Sequence, residues 1–521
     1  MKLPIRLFAG ALALSFGLLT GCASGETPVL TATTAAAVSA TAAPATDPGK
    51  GTQITFADDR ISAASTQGLD IDGTALTITS SGTYTLSGKS QNGSVKVKKG
   101  VTGVTLILNG LDLTSESTAP IVCAKSSQVT IEAAAGTENT LSDTEENNEE
   151  TGNENAENAV IKCKDGSQVT LSGTGTLNIQ ANGKNGIKSG ASTQEEGEAS
   201  LTIRDLTLNI SAPNNDAINA EATLNVESGN LTISAGDDAI HADNTLNIGA
   251  DGSQGPTIRI DACYEGLEGA TINIRSGDVT ILSTDDCINA ANPDLQGFDY
   301  SLNISGGNIT AYASTGDGFD SNGNMCISGG TVAVWTANRS DNSPLDADGT
   351  ITISGGTVLA AGGSSGMGLN LDAQQTCVIF SGSSSDPDQG QQGKGFGGGT
   401  TILSEGSSFA IGDSQGNVLS SGDSKCETTY LLFSSSDLTD GESCTLSSGS
   451  STTTAQAQTG TISTGRGGMG GGMGRPGGDR PDDGQGPKDF DRGEKPDGQD
   501  FDPSQKPDRP GKERGTNETL S

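Results

Sequence analysis

The chain has 521 residues, with 64 acidic side chains against 29 basic ones and a single histidine, for a formal net charge of −35. A surface this acidic repels nucleic acid and anionic lipid and attracts cations, and aromatic residues at only 3% alongside 75 glycines exclude an ordinary helical or α/β enzyme core. Gly, Ser, Thr, Asn and Asp at this density suit many short strands joined by tight turns.

Lys2 and Arg6 precede the apolar stretch ALALSFGLL, which runs into Leu19-Thr20-Gly21-Cys22. A basic start, a short apolar core and small residues before a cysteine are the build of a bacterial lipoprotein signal. Residues 1–21 are expected to be removed and Cys22 lipidated, so that the protein is exported and touches the cell membrane only through its lipid, on the extracellular face. No second apolar run is long enough to span a bilayer. Residues 22–50 have no core pattern and read as a flexible spacer.

Residues 51–450 read as one all-β domain. Its run 137–158, TENTLSDTEENNEETGNENAEN, is predicted to be a solvated acidic loop insertion. Nine cysteines less the lipidated one leave eight, which permits disulfides in an exported protein. Cys123-Ala124-Lys125-Ser126-Ser127-Gln128-Val129-Thr130-Ile131 and Cys163-Lys164-Asp165-Gly166-Ser167-Gln168-Val169-Thr170-Leu171 align without gaps at an offset of 40. Both cysteines therefore hold the same place in successive repeats, where a disulfide and two stacked buried thiols both fit.

An apolar-x-apolar triplet then recurs at spacings of 22 to 30 residues: Leu177-Asn178-Ile179, Leu201-Thr202-Ile203, Leu224-Asn225-Val226, Leu246-Asn247-Ile248, Ile272-Asn273-Ile274, Leu302-Asn303-Ile304, Met325-Cys326-Ile327 and Ile351-Thr352-Ile353. Most are followed by Ser-Gly or Gly-Gly and a second short strand. A coil this small cannot close its own core, whereas stacked coils bury a continuous apolar column. The period is too short for a propeller blade of about 40 to 50 residues, so the architecture predicted is a parallel β-helix.

Stacking makes columns. Ile187, Ile218, Ile240, Leu267, Ile288, Phe319, Leu345 and Leu369 form one apolar column in which every side chain must face the core. Two residues earlier stand Asp216, Asp238, Glu265, Asp286 and Asp317, with Asp237, Asp285, Glu268, Asp320 and Asp346 close by. Carboxylates stacked at ~4.8 Å repel by about 1 kcal/mol per pair even in water. Calcium, which accepts six to eight oxygens in flexible geometry, is the expected neutraliser, with Asn219 and Asn289 supplying neutral oxygens. The absence of His/Cys clusters argues against zinc. The competing arrangement fans the acids outward, where salt screens them. His241 occupies a slot filled by Asn, Glu or Asp in neighbouring coils, so it reads as a polar or metal-facing column residue before it reads as a general base.

Tyr312 and Trp335 fall in one outward column on adjacent coils. An exposed pair of this kind suits stacking against a sugar ring, unless a loop or the tail covers it. The Asn/Thr column at 178, 202, 225, 247, 273 and 303 reads as an outward ladder that stabilises the sheet. Arg204, Arg259 and Arg275 also face outward, towards a carboxylated sugar or nearby acids. Residues 451–521 end the chain in Gly, Pro and alternating charge, which predicts a disordered tail.

The segments Asp216-Ala217-Ile218-Asn219-Ala220, Asp238-Ala239-Ile240-His241-Ala242, Asp286-Cys287-Ile288-Asn289-Ala290 and Tyr264-Glu265-Gly266-Leu267-Glu268-Gly269, the strand-SGG-strand units and the tail GRGGMGGGMGRPGG together resemble secreted bacterial carbohydrate-binding-domain proteins. The resemblance covers roughly residues 52–447. It implies a right-handed parallel β-helix similar to pectate lyases, bound calcium, and binding of plant-type polysaccharides including acidic, uronate-containing ones, and it carries over no catalytic residue. The function expected is non-catalytic, calcium-dependent polysaccharide binding at the cell surface. A calcium-dependent polysaccharide lyase is the enzyme alternative; it needs a basic residue beside the cation, and only Lys188 aligns with the acidic columns. A surface adhesin or envelope scaffold is the third reading.

Overall fold

The computed structural model describes residues 50–191, 199–292, 299–339, 342–363, 369–382 and 400–464. The expected signal, Cys22, the spacer up to residue 49 and the chain beyond 464 lie outside the described residues.

Each coil contributes three short strands, and each strand pairs in parallel with its counterpart in the next coil, so three sheets run the length of a parallel β-helix. In the first sheet Ile187, Ile218, Ile240, Leu267, Ile288 and Phe319 are successive partners, and Leu345 bridges to Phe319. All seven are at most 3% exposed, as a column facing the core requires. Leu369 is buried too, but pairs with Thr464 in a later strand. The second sheet stacks Val129, Val169, Leu201, Leu224, Leu246, Ile272, Leu302, Met325, Ile351 and Leu371. The third stacks Leu177, Leu208, Leu231, Ile258, Val279, Ile309, Val332 and Val358.

One registration differs from expectation. Leu177-Asn178-Ile179 belongs to the third sheet, and the place before Leu201 in the second is held by Val169. An alternating triplet buries its outer residues equally well on either side of a coil, so its pattern alone does not choose the sheet. The turns that follow the second sheet stack just as tightly: a Cβ on Gly330 would sit 2.6 Å from the Gly307 carbonyl oxygen, and one on Gly356 2.7 Å from that of Gly330. All three glycines also have positive φ, so neither the backbone conformation nor the approach tolerates a side chain.

The helix ends in antiparallel structure. Tyr430–Ser434 pairs antiparallel with both Thr357–Gly362 and Leu369–Ser381, and the latter also receives Gln458–Thr464. Four further strands, Val418–Asp423, Ser408–Gly412, Ser443–Ser448 and Ser451–Gln456, form a separate antiparallel sheet in that order. Ser451–Gln456 and Gln458–Thr464, expected to begin the disordered tail, are therefore strands. Their alternating Ser/Thr pattern carries few apolar residues, because their backbones complete sheets whose apolar faces are supplied by other strands.

One other expectation is corrected, and one choice left open is decided. The acidic run 137–158 is not a solvated loop throughout: Glu138–Asp143 is a strand of the third sheet, and Asp143, 1% exposed, accepts hydrogen bonds from the Asn182 and Gly183 amides and from Asn147. Cys123 and Cys163 are register partners in the first sheet, but both are buried free thiols. In-register Cβ atoms on parallel neighbours point the same way at ~4.8 Å, wider than the ~3.8 Å a disulfide prefers.

Candidate functional site

The first sheet and the turn that leads into it carry the acidic residues. Asp216, Asp238, Glu265, Asp286 and Asp317 each precede the strand by two residues, and their backbones bond from coil to coil: the amides of Ala217, Ala239, Gly266 and Cys287 donate to the carbonyls of Asp238, Glu265, Asp286 and Asp317. Several side chains also bind the backbone of the next coil. Asp216 accepts from the Asp238 amide (3.2 Å), Asp286 from the Asp317 amide (2.6 Å), and Asp317 from the Ser343 amide. The outer row of the same sheet runs Lys162, Lys188, Asn219, His241, Glu268, Asn289, Asp320 in register. Asp346 continues it, with its amide donating to the Phe319 carbonyl.

Two groups of ligand atoms come together. Asp238, His241 and Glu268 form one, and Asp317, Asp320 and Asp346 the other, each with its atoms within 4.8 Å of one another. Glu265 and Asp286 lie between these groups. Asp216 stands one coil before the first, buried and held by Asn219 (2.7 Å). Asp237 and Asp285 are half-buried beside the row and join neither group. A Cβ on Gly316 would lie 2.3 Å from Asp285 Oδ1 and 2.5 Å from Asp286 Oδ1, so this position leaves the two carboxylates their space.

The first group is centred on the single histidine. His241 Nδ1 faces Asp238 (3.2 Å) and Glu268 (2.5 Å), and Nε2 faces Asp243 (2.7 Å). Burial works against an imidazolium here, but the hydrogen bonds to Asp238, Asp243 and Glu268 outweigh it and raise the His241 pKa to about 12. His241 is thus a built-in cation among acids. Asp243 was missed in the sequence, although it sits two residues from His241 and so on the same face of the strand.

Among the described residues no such cation serves the rest of the row. Burial first, then repulsion from Glu268, Asp286 and Asp285, raises Glu265 to about 8. Burial with Asp285, Asp320 and Asp346 nearby raises Asp286 to about 7. Asp317 rises to about 8 and Asp320 to about 6, again chiefly through burial. A cation bound among these groups would favour their charged forms and bring the raised values down.

The neutral oxygens point the same way. Asn219 and Asn289 donate their amide nitrogens to Asp216 and to Glu265 (3.0 Å), which leaves Asn219 Oδ1 and Asn289 Oδ1 buried with no hydrogen bond. Buried acceptors without donors are rare. Carboxylates plus orphaned amide oxygens make a hard donor set that fits calcium or magnesium and suits no soft metal.

The predicted sugar platform is not open. Tyr312 and Trp335 are register partners as expected, but Trp335 is 4% exposed and meets Phe409 edge-on with ring centroids 5.9 Å apart. The four-stranded antiparallel sheet covers this face, adding Phe409, Ile411 and Leu446 to a second apolar cluster that includes Trp335, Leu359 and Phe433, with Tyr312 packed against it. The pair faces outward from the β-helix and inward to a second core. Lys162, another residue the sequence did not flag, stands in the outer row beside Lys188, and burial lowers its pKa.

A family model described as carbohydrate-binding domain-containing protein matches residues 72–366 and 254–441, a region that includes the whole acidic row. The chain belongs to this family. A curated relative, a carbohydrate-binding domain-containing protein of Acetivibrio thermocellus, is 35% identical over 136 residues, which are 26% of this chain and 47% of that protein. The chain spans about half the length of that relative. A solved structure of the polysaccharide lyase-like protein from C. thermocellum, in its gadolinium derivative, is 24% identical with a TM-score of 0.32, covering 59% of this chain and 94% of that one.

Proposed function

We propose that this protein holds polysaccharide at the bacterial surface through divalent cations, calcium foremost, seated in the acidic row, without cleaving it. The observation that carries the reading is the pair of buried, unpaired oxygens, Asn219 Oδ1 and Asn289 Oδ1, set within a stack of carboxylates. Separate ions beside these two oxygens, three register steps apart, would neutralise the row and keep coordination positions for hydroxyl or carboxylate oxygens of a glycan. A net charge of −35 repels an acidic polymer and a bound cation offsets that repulsion, so plant-type, uronate-containing glycans are the ligands whose binding calcium strengthens most. The lipoprotein-like stretch ending at Cys22 supports binding outside the cell, tethered by lipid.

A lyase needs a base next to the ion. The outer row carries no Lys or Arg beyond Lys188 among the described residues, and Asp320 lies five register steps further on. That separation, ~24 Å at the sheet spacing, favours binding over cleavage at the Asp317 group. Affinity electrophoresis through gels of polygalacturonate, cellulose derivatives or xylan, with calcium or a chelator, tests the proposal. Retardation that calcium strengthens and chelator weakens is the expected result; release of unsaturated oligomers selects the lyase, and unchanged mobility in every gel selects an adhesin or envelope scaffold.

A further inference from the structure

The outer face of the second sheet carries a cavity of about 620 Å³, away from the acidic row. Its wall is built by the turns that leave this sheet in four successive coils. Ile203, Val226, Ile248 and Ile274 are register partners, so the residues that follow them, Arg204, Glu227, Gly249 and Arg275, form a column. Gly249, at φ +66 and with Ser276 Oγ only 2.2 Å from where its Cβ would stand, must be glycine. It leaves a gap between two guanidinium groups three coils, or ~14 Å, apart.

One donor at this gap is buried without an acceptor among the described residues. Arg204 Nε is buried and makes no hydrogen bond to any of the described residues. Arg275 gives one N–H to Asn247 Oδ1 (3.1 Å). Neither guanidinium forms an ion pair among the described residues, in a chain that carries 64 acids. Asn247, Asn273 and Asn303 each donate to the oxygen of the asparagine before them, at 3.0, 3.0 and 3.1 Å. Asn225 heads this ladder, accepting from Asn247, and its partly exposed side chain too lines the cavity. Of the two acids at the cavity, Asp205 is engaged by Ser228 Oγ (2.9 Å) and Glu227 is exposed at the rim.

A second hollow of about 610 Å³ shares Ser253, Gln254 and Gly255 with the first and continues over the stacked Ser-Gly-Gly turns. The segment between them is tied down by hydrogen bonds from Ser253 Oγ (2.8 Å) and Ser276 Oγ (3.0 Å) to the Ala250 carbonyl. The two hollows form a polar groove suited to an extended chain.

Resting on the glycan-binding reading above, we propose that this cavity is a carboxylate subsite, in which Arg204, Arg275 and Asn225 receive the uronate carboxylates of an acidic glycan without help from a metal ion. A planar guanidinium matches a carboxylate through two parallel N–H bonds, and a buried N–H with no acceptor is satisfied only when such a ligand arrives.

The test is affinity electrophoresis of the full chain through polygalacturonate and through the same polymer with its carboxyl groups reduced, in chelator and in calcium. Expected in chelator are retardation by polygalacturonate and none by the reduced polymer. Arg204→Ala and Arg275→Ala each weaken the retardation roughly tenfold, Arg204→Lys does not restore it, and Glu227→Gln strengthens it, all with melting temperatures near wild type. Arginine variants that bind polygalacturonate in chelator as well as wild type does, or wild-type retention of the reduced polymer in chelator, overturn the proposal. If wild type and arginine variants bind alike and only with calcium, this subsite fails while the cation-bridged reading stands; if no glycan retards the wild type in either condition, both fall.

Discussion

Asp317→Asn separates a cation ligand from a structural hydrogen-bond acceptor, because asparagine keeps an oxygen for the Ser343 amide while removing the charge. Burial, with Asp286, Asp346 and Asp320 close by, raises the Asp317 pKa to about 8. An acid whose folded pKa exceeds its unfolded value of about 3.9 binds its proton more tightly when folded. Its contribution to stability is complete at low pH and is lost as the pH climbs from about 4 to about 8. At pH 7 unscreened linkage amounts to ~4 kcal/mol, and water and salt at a half-buried site reduce this to about 1–2 kcal/mol. For a domain of this size that is a rise of about 1–2 °C in melting temperature for the variant in chelator. In calcium the order reverses. Saturating a site at ~100 times Kd adds about 2.7 kcal/mol to wild type, and the variant, one ligand charge short, gains less. Scanning calorimetry at pH 7 in chelator and in millimolar calcium reads both signs. A variant that melts below wild type in chelator and gains as much from calcium would refute the reasoning.

His241→Gln removes the cation among Asp238, Asp243 and Glu268; it is expected to destabilise the chelated protein by about 3 kcal/mol, read by denaturant titration, with calcium recovering part of the loss. The pH dependence follows from the same groups. The raised pKa of His241 gives stability that is complete below about 6.5 and declines towards 12, and the raised carboxylates lose theirs between about 4 and 8. Both signs agree, so the melting temperature in chelator should fall steadily from pH 5 to pH 9, and calcium, replacing the protons, should flatten the slope. Trp335→Ala should destabilise the C-terminal antiparallel sheet by about 3–5 kcal/mol and leave glycan affinity in the electrophoretic assay unchanged, since the indole is covered by Phe409 and its neighbours. Cys123 and Cys163 should react with a thiol reagent only on unfolding, with no need for prior reduction.

The β-helix was legible because its signal is repeated. Ile187 to Leu345 stack as the sequence aligns them, and once that column is fixed the neighbouring rows of acids follow from alternation alone. A single triplet carries less information, which is why Leu177-Asn178-Ile179 was placed in the wrong sheet. Tyr312 and Trp335 were correctly assigned to one outward column. Their cover was not legible, because it comes from strands beyond residue 400 that break the repeat and have no periodic relation to the coils they pack on. The same applies to 451–464, whose Ser/Thr-rich strands are held by backbone pairing. In the acidic run, Asp143 is buried because Asn147, Asn182 and Gly183 turn their donors towards it, a convergence that composition cannot reveal. His241 fell into its expected slot, but its role as a counter-ion depends on Glu268, one coil away, and on Asp243, on its own strand.

The account rests on a cation in the acidic row, and the most direct measurement of it is anomalous X-ray scattering from crystals of the full chain grown in calcium. The result predicted is a calcium peak about 2.3–2.6 Å from carboxylate oxygens of Asp317, Asp320 and Asp346. Crystals saturated with calcium that carry no anomalous peak among these three residues would contradict it.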